Sequence, residues 1–342
     1  MRRFCLAFSA AIAALAFLGF AENGGPYKVL KTAKVGGAGG FDYVAADEGG
    51  RKLYVARSGQ GARITVFDLD TLEPAGEIPN VGAHGAVVSP KTNHGFASSK
   101  PVVMFDSKTL APIKTIEVEG NPDGMLYDSF NDRVYVLSHR APNATVINAS
   151  DGSIVGTIDL GGAPEQAASD GKGRIYIDIE DKANIAVVDA KTLSVVTHYD
   201  LAGKGGVCAG LAMDVKNNIL FAACRNPQNM VMLNAADGKI LDALPLGAGT
   251  DGAVFNPKTM EAFSSQGDGT LTVIKENSPT SFAVEQNLET MRSAKTLTLD
   301  GKTNRILLIA AEFGQPSTPP AGGRPGRGQM VPDSFSIIVV GK

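Results

Sequence analysis

The sequence predicts an all-β fold, a seven-bladed β-propeller with four-stranded antiparallel blades, and three observations support this prediction. A four-strand phrase recurs along the chain, turn-forming residues separate its strands, and an N-terminal strand supplies the one strand that the C-terminus lacks. The composition agrees, because 40 glycines and 18 prolines are spread along the chain, as many short strands with tight turns require.

The repeat is clearest in the second strand of each phrase, which is centred on an aromatic or leucine side chain. Successive centres are 42, 39, 41, 45, 42 and 44 residues apart. A period of about 40–45 residues with four strands per unit is typical of propeller blades. Between the third and fourth strands, Asp-x-x-Thr segments indicate turns, because Asp side chains cap their own backbone. The centres are Tyr54, Phe96, Tyr135, Tyr176, Phe221, Phe263 and Leu307.

The N-terminal strand completes the blade count. "VLKTAKVGG" (29–37) aligns with the fourth-strand sequence "IVGTIDLGG" (154–162), whereas the chain stops after the third-strand sequence "FSIIVVGK". We therefore expect the N-terminal strand to join the last blade and protect its edge. A solenoid would not need this displaced strand, and a two-sheet sandwich is too small for so many strands.

The first residues predict an export signal. Arg2 and Arg3 precede an apolar run over residues 4–18, and Gly19-Phe20-Ala21 supplies small residues for cleavage. We expect residues 1–21 to be a signal peptide and residues 22–342 to be one propeller domain, periplasmic or secreted, without a membrane span after cleavage. A retained anchor is the alternative, although the run is short for a membrane span.

Charge and cysteine content restrict the function. The net charge of −3 gives no case for an anionic membrane or nucleic acid as partner. No Cys-x-x-Cys-His motif is present, which excludes covalently attached haem. Pairing residue 213 with residue 219 across the fifth blade's first hairpin puts Cys208 opposite Cys224, so a disulfide is one prediction and two buried thiols are the other.

The pattern of Gly-x-Pro-Asp-Gly followed by an aromatic strand resembles the YVTN-repeat (YncE-like) propeller family of exported bacterial proteins. "RKLYVA", "DRVYVLS" and "GRIYID" carry the resemblance, which covers the mature chain. It implies the fold and not one activity, since propellers host many unrelated functions.

A ring of candidate site residues occupies the start of the first strands. Because first strands begin at one end of the central channel, residues twelve positions before each centre should surround one mouth. Second strands end on the same face, which adds basic side chains. The first-strand positions are Asp42, His84, Asp123, Ala209, Asp251 and Lys295, with Glu165 offset by one. The basic second-strand candidates are Arg57, His139 and Arg225.

Three interpretations of the ring remain open. The acidic residues could cap turns or pair with neighbouring blades, line a water-filled channel, or bind a cation. Asp42, Asp123, Glu165 and Asp251 would suit Ca²⁺ or Mg²⁺. His84 and His139, near these carboxylates, could act as a general base or bind a transition metal.

A long segment interrupts blade seven on the same face. Residues 313–334 are rich in Pro and Gly, and they indicate either disordered decoration or a cover over the mouth in which Arg324 and Arg327 meet the acidic ring.

The leading functional hypothesis is a monomeric, non-enzymatic scaffold that binds a small molecule or a protein through the decorated face. The alternatives are a metal-dependent lyase or lactone hydrolase, similar in general plan to streptogramin lyases and gluconolactonases, and a single-stranded DNA binder. The acidic ring disfavours DNA.

Overall fold

The structure is a seven-bladed β-propeller, as the repeat predicts. The computed structural model describes residues 24–59, 61–315 and 328–342. They form seven four-stranded antiparallel sheets, and the innermost strand of each sheet contacts those of both neighbouring sheets, which closes a ring. The predicted signal peptide, residues 1–21, lies outside the described residues. Within them, no helix has the length and apolar character needed to span a membrane.

Each blade runs from the central channel outwards in chain order. Blade one is β2 (Gly40–Asp47), β3 (Lys52–Ser58), β4 (Arg63–Asp68) and β5 (Pro74–Pro79). Blade two is β6 (Ala86–Ser89), β7 (His94–Ala97), β8 (Val102–Asp106) and β9 (Pro112–Ile116). Blade three is β10 (Pro122–Asp128), β11 (Arg133–Ser138), β12 (Asn143–Asn148) and β13 (Ile154–Asp159).

The remaining four blades follow the same plan, except that the outermost strand of blade seven is the N-terminal β1. Blade four is β14 (Pro164–Ser169), β15 (Arg174–Ile179), β16 (Asn184–Asp189) and β17 (Ser194–Asp200). Blade five is β18 (Cys208–Asp214), β19 (Ile219–Arg225), β20 (Gln228–Asn234) and β21 (Ile240–Pro245). Blade six is β22 (Thr250–Asn256), β23 (Glu261–Gln266), β24 (Thr270–Ser278) and β25 (Ser281–Glu289). Blade seven is β26 (Leu297–Asp300), β27 (Arg305–Ala310), β28 (Ser336–Gly341) and β1 (Lys28–Lys34).

Local chemistry and core packing explain these elements. The predicted Asp-x-x-Thr turns are present, since Asp68, Asp106 and Asp189 each accept hydrogen bonds from backbone N–H groups two and three residues ahead. The second strands are buried on both faces, and their apolar side chains pack between adjacent blades. Phe41 and Leu53 of blade one, for example, share a cluster with Leu307 of blade seven. The core is therefore distributed between blades.

The N-terminal strand closes the last blade. β1 pairs antiparallel with β28, from Lys28 opposite Gly341 to Lys34 opposite Ser336. This pairing covers the outer edge of blade seven and confirms the predicted closure.

Arg57 stabilises this junction and does not lie among the charged residues at the channel mouth, where the sequence predicts it. Its side chain is 1% exposed, and its guanidinium donates to the carbonyl oxygens of residues 36–40, which connect β1 to β2. The guanidinium also stacks 3.7 Å above the ring centroid of Phe335. Burial, followed by the charge of Arg63, lowers the Arg57 pKa to about 10. The guanidinium offers several N–H groups to the carbonyl oxygens of the glycine-rich connection. Because these contacts bury the Arg57 side chain, it does not reach the channel mouth.

The long segment of blade seven leaves the ring on the mouth face. Phe313 pairs with Met330, and the Gly314 N–H donates to the Gln329 carbonyl at 2.8 Å, so the described ends form a short ladder. Residues 316–327, which include Arg324 and Arg327, lie outside the described residues.

Replacing Arg57 with Met should lower the free energy of unfolding by about 2–4 kcal/mol, because the partly buried carbonyl groups of the β1–β2 connection lose their charged donor. Denaturant unfolding measures this loss. Arg63→Met is the control, since Arg63 forms a 3.4 Å ion pair with the half-exposed Glu77, and its removal should cost less than about 1 kcal/mol. Equal losses in the two variants would contradict the assigned role.

Candidate functional site

Backbone bulges place the candidate residues at the channel mouth. In five blades the first strand holds one more residue than its partner, and this extra residue falls at or beside the predicted ring position. In blades two and seven the first strand is only four residues long and begins just after the ring position. These are the two blades whose ring residues are basic, His84 and Lys295.

Glu165, which the sequence places one residue away from the ring position of blade four, occupies that position in the structure. Tyr135 pairs with Leu126, three residues after Asp123, and Tyr176 pairs with Ala168, three residues after Glu165. Glu165 is therefore equivalent to the other ring residues, and the turn after its strand is one residue shorter.

Nine residues from all seven blades form one continuous network of ion pairs around the mouth, which we call the mouth ring. Its five carboxylates and four bases alternate, except that blade four contributes two adjacent carboxylates. The net charge is −3 with both histidines neutral and −1 with both protonated. The members are Asp42, His84, Asp123, His139, Glu165, Glu180, Arg225, Asp251 and Lys295.

The two histidines flank Asp123. His84 Nδ1 lies 2.7 Å from Asp42 Oδ2 and 3.6 Å from Asp123 Oδ1. His139 Nδ1 lies 3.8 Å from Asp123 Oδ2. Among the described residues, the Asp123 carboxylate has no hydrogen-bond partner, so it is the most loosely held acid of the mouth ring.

Glu165 connects the mouth ring to the channel beneath it. Its Oε2 lies 2.6 Å from His139 Nε2, and its Oε1 accepts a 2.8 Å hydrogen bond from the Tyr43 hydroxyl of blade one. Asp178 supports the Glu165 bulge, because its Oδ1 accepts a hydrogen bond from the Gln166 N–H. The sequence prediction missed Tyr43 and Asp178. Tyr43 directly follows the ring residue Asp42, and that adjacency was the available signal.

Arg225 fills the gap that Ala209 leaves in blade five. Its guanidinium contacts Glu180 at 2.6 Å and also forms an ion pair with Asp251. Lys295 bridges Asp251 and Asp42, the latter at 3.1 Å, and so closes the network. Of the three basic second-strand candidates, His139 and Arg225 thus lie between the acids, whereas Arg57 does not.

Two clusters within the described residues have the spacing of metal ligands. They are Asp42 with His84 and Asp123, and Asp123 with His139 and Glu165. The four-carboxylate set expected for Ca²⁺ or Mg²⁺ is not assembled, because Lys295 lies between Asp42 and Asp251. The structure groups histidine nitrogens with carboxylates instead.

Burial and neighbouring charge shift the titration of the mouth ring. Burial, and then the Glu165 carboxylate, raise the pKa of Asp123 to about 6, against the charge of His84. The adjacent Glu165 raises the pKa of His139 to about 9, against burial. Burial acts to raise the pKa of Asp42, but His84 and Lys295 outweigh it and the pKa lies below its usual value.

A disulfide joins Cys208 and Cys224 beside the mouth ring. The two residues pair across β18 and β19, but the register assumed for the hairpin is wrong by one, since Met213 pairs with Leu220. The bulge at Ala209 adds the residue that brings the cysteines opposite each other.

Comparisons with known proteins identify the fold only. No protein-family model and no curated protein sequence matches the chain. A chain in the structure of Kuenenia stuttgartiensis hydrazine synthase is similar at 15% identity and a TM-score of 0.68, over 79% of this chain and 92% of that one. A chain of the mitotic checkpoint complex is similar at 11% identity and a TM-score of 0.70, over 90% and 95%. U3-55K is similar at 11% identity and a TM-score of 0.71, over 91% and 98%.

Asp123→Asn should stabilise metal-free protein by about 1–2 kcal/mol at pH 7.5. The folded-state pKa of Asp123 lies above its unfolded value, so ionisation opposes folding and its cost is complete above pH 6. The gain should shrink as pH falls from 6 to 4. Urea unfolding at several pH values measures it. Glu73→Gln, an exposed carboxylate on the opposite face, should change stability by less than about 0.5 kcal/mol.

His139→Gln should have the opposite pH dependence. The folded-state pKa of His139 is raised to about 9, so its charge stabilises the fold fully below its unfolded pKa, and this contribution is lost as pH rises through 9. We expect a loss of about 1–2 kcal/mol at pH 6 that disappears near pH 10. The exposed His198→Gln is the control, and a loss independent of pH would contradict the ion pair.

Proposed function

We propose that this chain is an exported, non-enzymatic binding protein that takes up a small cationic ligand in the mouth ring. We further propose that it belongs to the YVTN-repeat (YncE-like) family and acts in the periplasm or outside the cell. The basic n-region, apolar run and small residues of positions 1–21 support export. The repeat phrases "RKLYVA" and "DRVYVLS" support the family.

The proposal of a cationic ligand rests on the Asp123 carboxylate, which accepts no hydrogen bond from the described residues. Its side chain is 14% exposed, and the nearest bases lie 3.6 and 3.8 Å away, beyond hydrogen-bond distance. A partly buried carboxylate with free lone pairs favours a cation that completes its shell. The net negative charge of the mouth ring adds a general attraction for cations.

The rest of the mouth ring supports a binding role by being rigid. Arg225 and Lys295 each bridge two carboxylates, and these bridges hold the surrounding acids in fixed positions. A site with prearranged charges loses little conformational entropy when a ligand enters. The same negative charge disfavours single-stranded DNA as a ligand at this face.

A metal-dependent lyase or lactone hydrolase is the second candidate. The contacts of His84 with Asp42 and of His139 with Glu165 favour it, because a carboxylate that orients an imidazole is a common arrangement in general-base catalysis. Turnover of a lactone that is lost in His139→Gln would support this candidate over simple binding.

The test of the proposed function is a ligand panel read by thermal unfolding and calorimetry on the full chain. Primary and quaternary ammonium compounds and divalent metal ions should raise Tm, whereas anions of similar size should not. Asp123→Asn should weaken cation binding at least tenfold, about 1.4 kcal/mol. Glu73→Gln removes the same charge on the opposite face and should leave affinity unchanged. Equal effects of the two variants, or preferential anion binding, would overturn the proposal.

A further inference from the structure

We infer that the cation bound at the mouth ring is a divalent transition-metal ion of the zinc class, with Asp42, His84 and Asp123 as its protein ligands. The inference rests on the proposed function for the place of binding and adds the chemical class of the ligand. These residues come from three successive blades and lie side by side on the mouth face.

One nitrogen atom faces both carboxylates of this cluster. His84 Nδ1 lies 2.7 Å from Asp42 Oδ2 and 3.6 Å from Asp123 Oδ1. Ligands of a tetrahedral zinc ion, with bonds of about 2.0–2.1 Å, are separated by about 3.3 Å. The His84–Asp123 separation already fits an ion between the two atoms. The shorter contact is a hydrogen bond, and it opens when the ion replaces the proton that His84 releases to solvent.

The second cluster lacks this arrangement. His139 presents Nδ1 to Asp123, whereas its Nε2 faces Glu165 at 2.6 Å and Glu180 at 3.6 Å, and among the described residues these last two carboxylates do not form a three-ligand cluster with it. The other oxygen of Glu165 accepts the Tyr43 hydroxyl. Glu165 therefore already contacts Tyr43 through one oxygen and His139 Nε2 through the other, and the ion is assigned to the His84 cluster, in which one nitrogen atom faces both carboxylates.

The donor set and its exposure select the type of ion. One imidazole nitrogen and two carboxylates suit zinc, cobalt or nickel, whereas Ca²⁺ and Mg²⁺ prefer sites made of oxygen alone. The His84 side chain is 40% exposed, which leaves a path from solvent. Three protein ligands leave a fourth position for water or an external group. Lys295 Nζ donates to Asp42 Oδ1 at 3.1 Å, and this contact orients the carboxylate so that Oδ2 faces His84.

The test uses untagged full-length protein that has been stripped with a chelator, because a histidine tag would bind the same ions. Calorimetry should show one Zn²⁺ or one Co²⁺ ion bound per chain. Bound Co²⁺ should also give the visible absorption that is typical of a four-coordinate site. Ca²⁺ and Mg²⁺ should bind at least tenfold more weakly. Far-UV circular dichroism and thermal unfolding confirm that each variant is folded.

Ligand variants locate the ion. His84→Gln and Asp123→Asn should weaken Zn²⁺ binding at least tenfold, whereas the exposed His198→Gln should leave it unchanged. A tenfold loss in His139→Gln with none in His84→Gln would overturn the assignment. Binding of ammonium compounds without metal binding would overturn this inference and leave the proposed function intact. If neither class of cation binds, both fail.

Discussion

The pairing of β1 with β28 is the constraint on which the rest of the structure depends. A propeller blade cannot bury its faces alone, because each blade's core is shared with its two neighbours. All seven blades bury both faces only when the ring is closed. The pairing of β1 with β28 completes the last blade and so closes the ring. Arg57 fixes the connection from β1 to β2, and β2 carries Asp42. The link between Lys295 and Asp42 crosses this junction, so an opened ring would also interrupt the mouth ring.

Bulges in the first strands of the blades bring the charged side chains together at the channel mouth. A regular first strand would present alternate residues to its two faces, whereas a bulge re-aims one residue towards the mouth. The bulged strands also approach one another closely. A Cβ at Gly124 would lie 2.2 Å from the Glu165 carbonyl oxygen, and one at Gly210 would lie 2.6 Å from the Gly252 carbonyl carbon. Glycine at these two positions allows neighbouring bulges to fit side by side.

The sequence predicts the blade number, the closure and the position of the ring residues, because repetition exposes what each blade shares. It does not predict how the blades differ. The pairing of Arg225 with Asp251 depends on the small side chain at position 209, and the burial of Arg57 depends on the β1–β2 connection, which has no counterpart in the described part of the other blades. Glu165 looks displaced by one residue in the sequence, because the spacing from Tyr176 is counted across a turn that is one residue shorter than in the other blades. Contacts between distant blades, such as Tyr43 to Glu165, leave no periodic trace in the chain.

Tyr43 has a consequence for how any molecule reaches the mouth ring. Its side chain crosses from blade one to blade four directly beneath the charged residues, and the channel below it is a cavity of about 200 Å³ bounded by Gly85, Gly124 and Leu211. The hydrogen bond from Tyr43 to Glu165 thus spans the central opening from blade one to blade four, between the mouth ring and this cavity. A molecule that moves between the mouth and this cavity must therefore pass this hydrogen bond or break it.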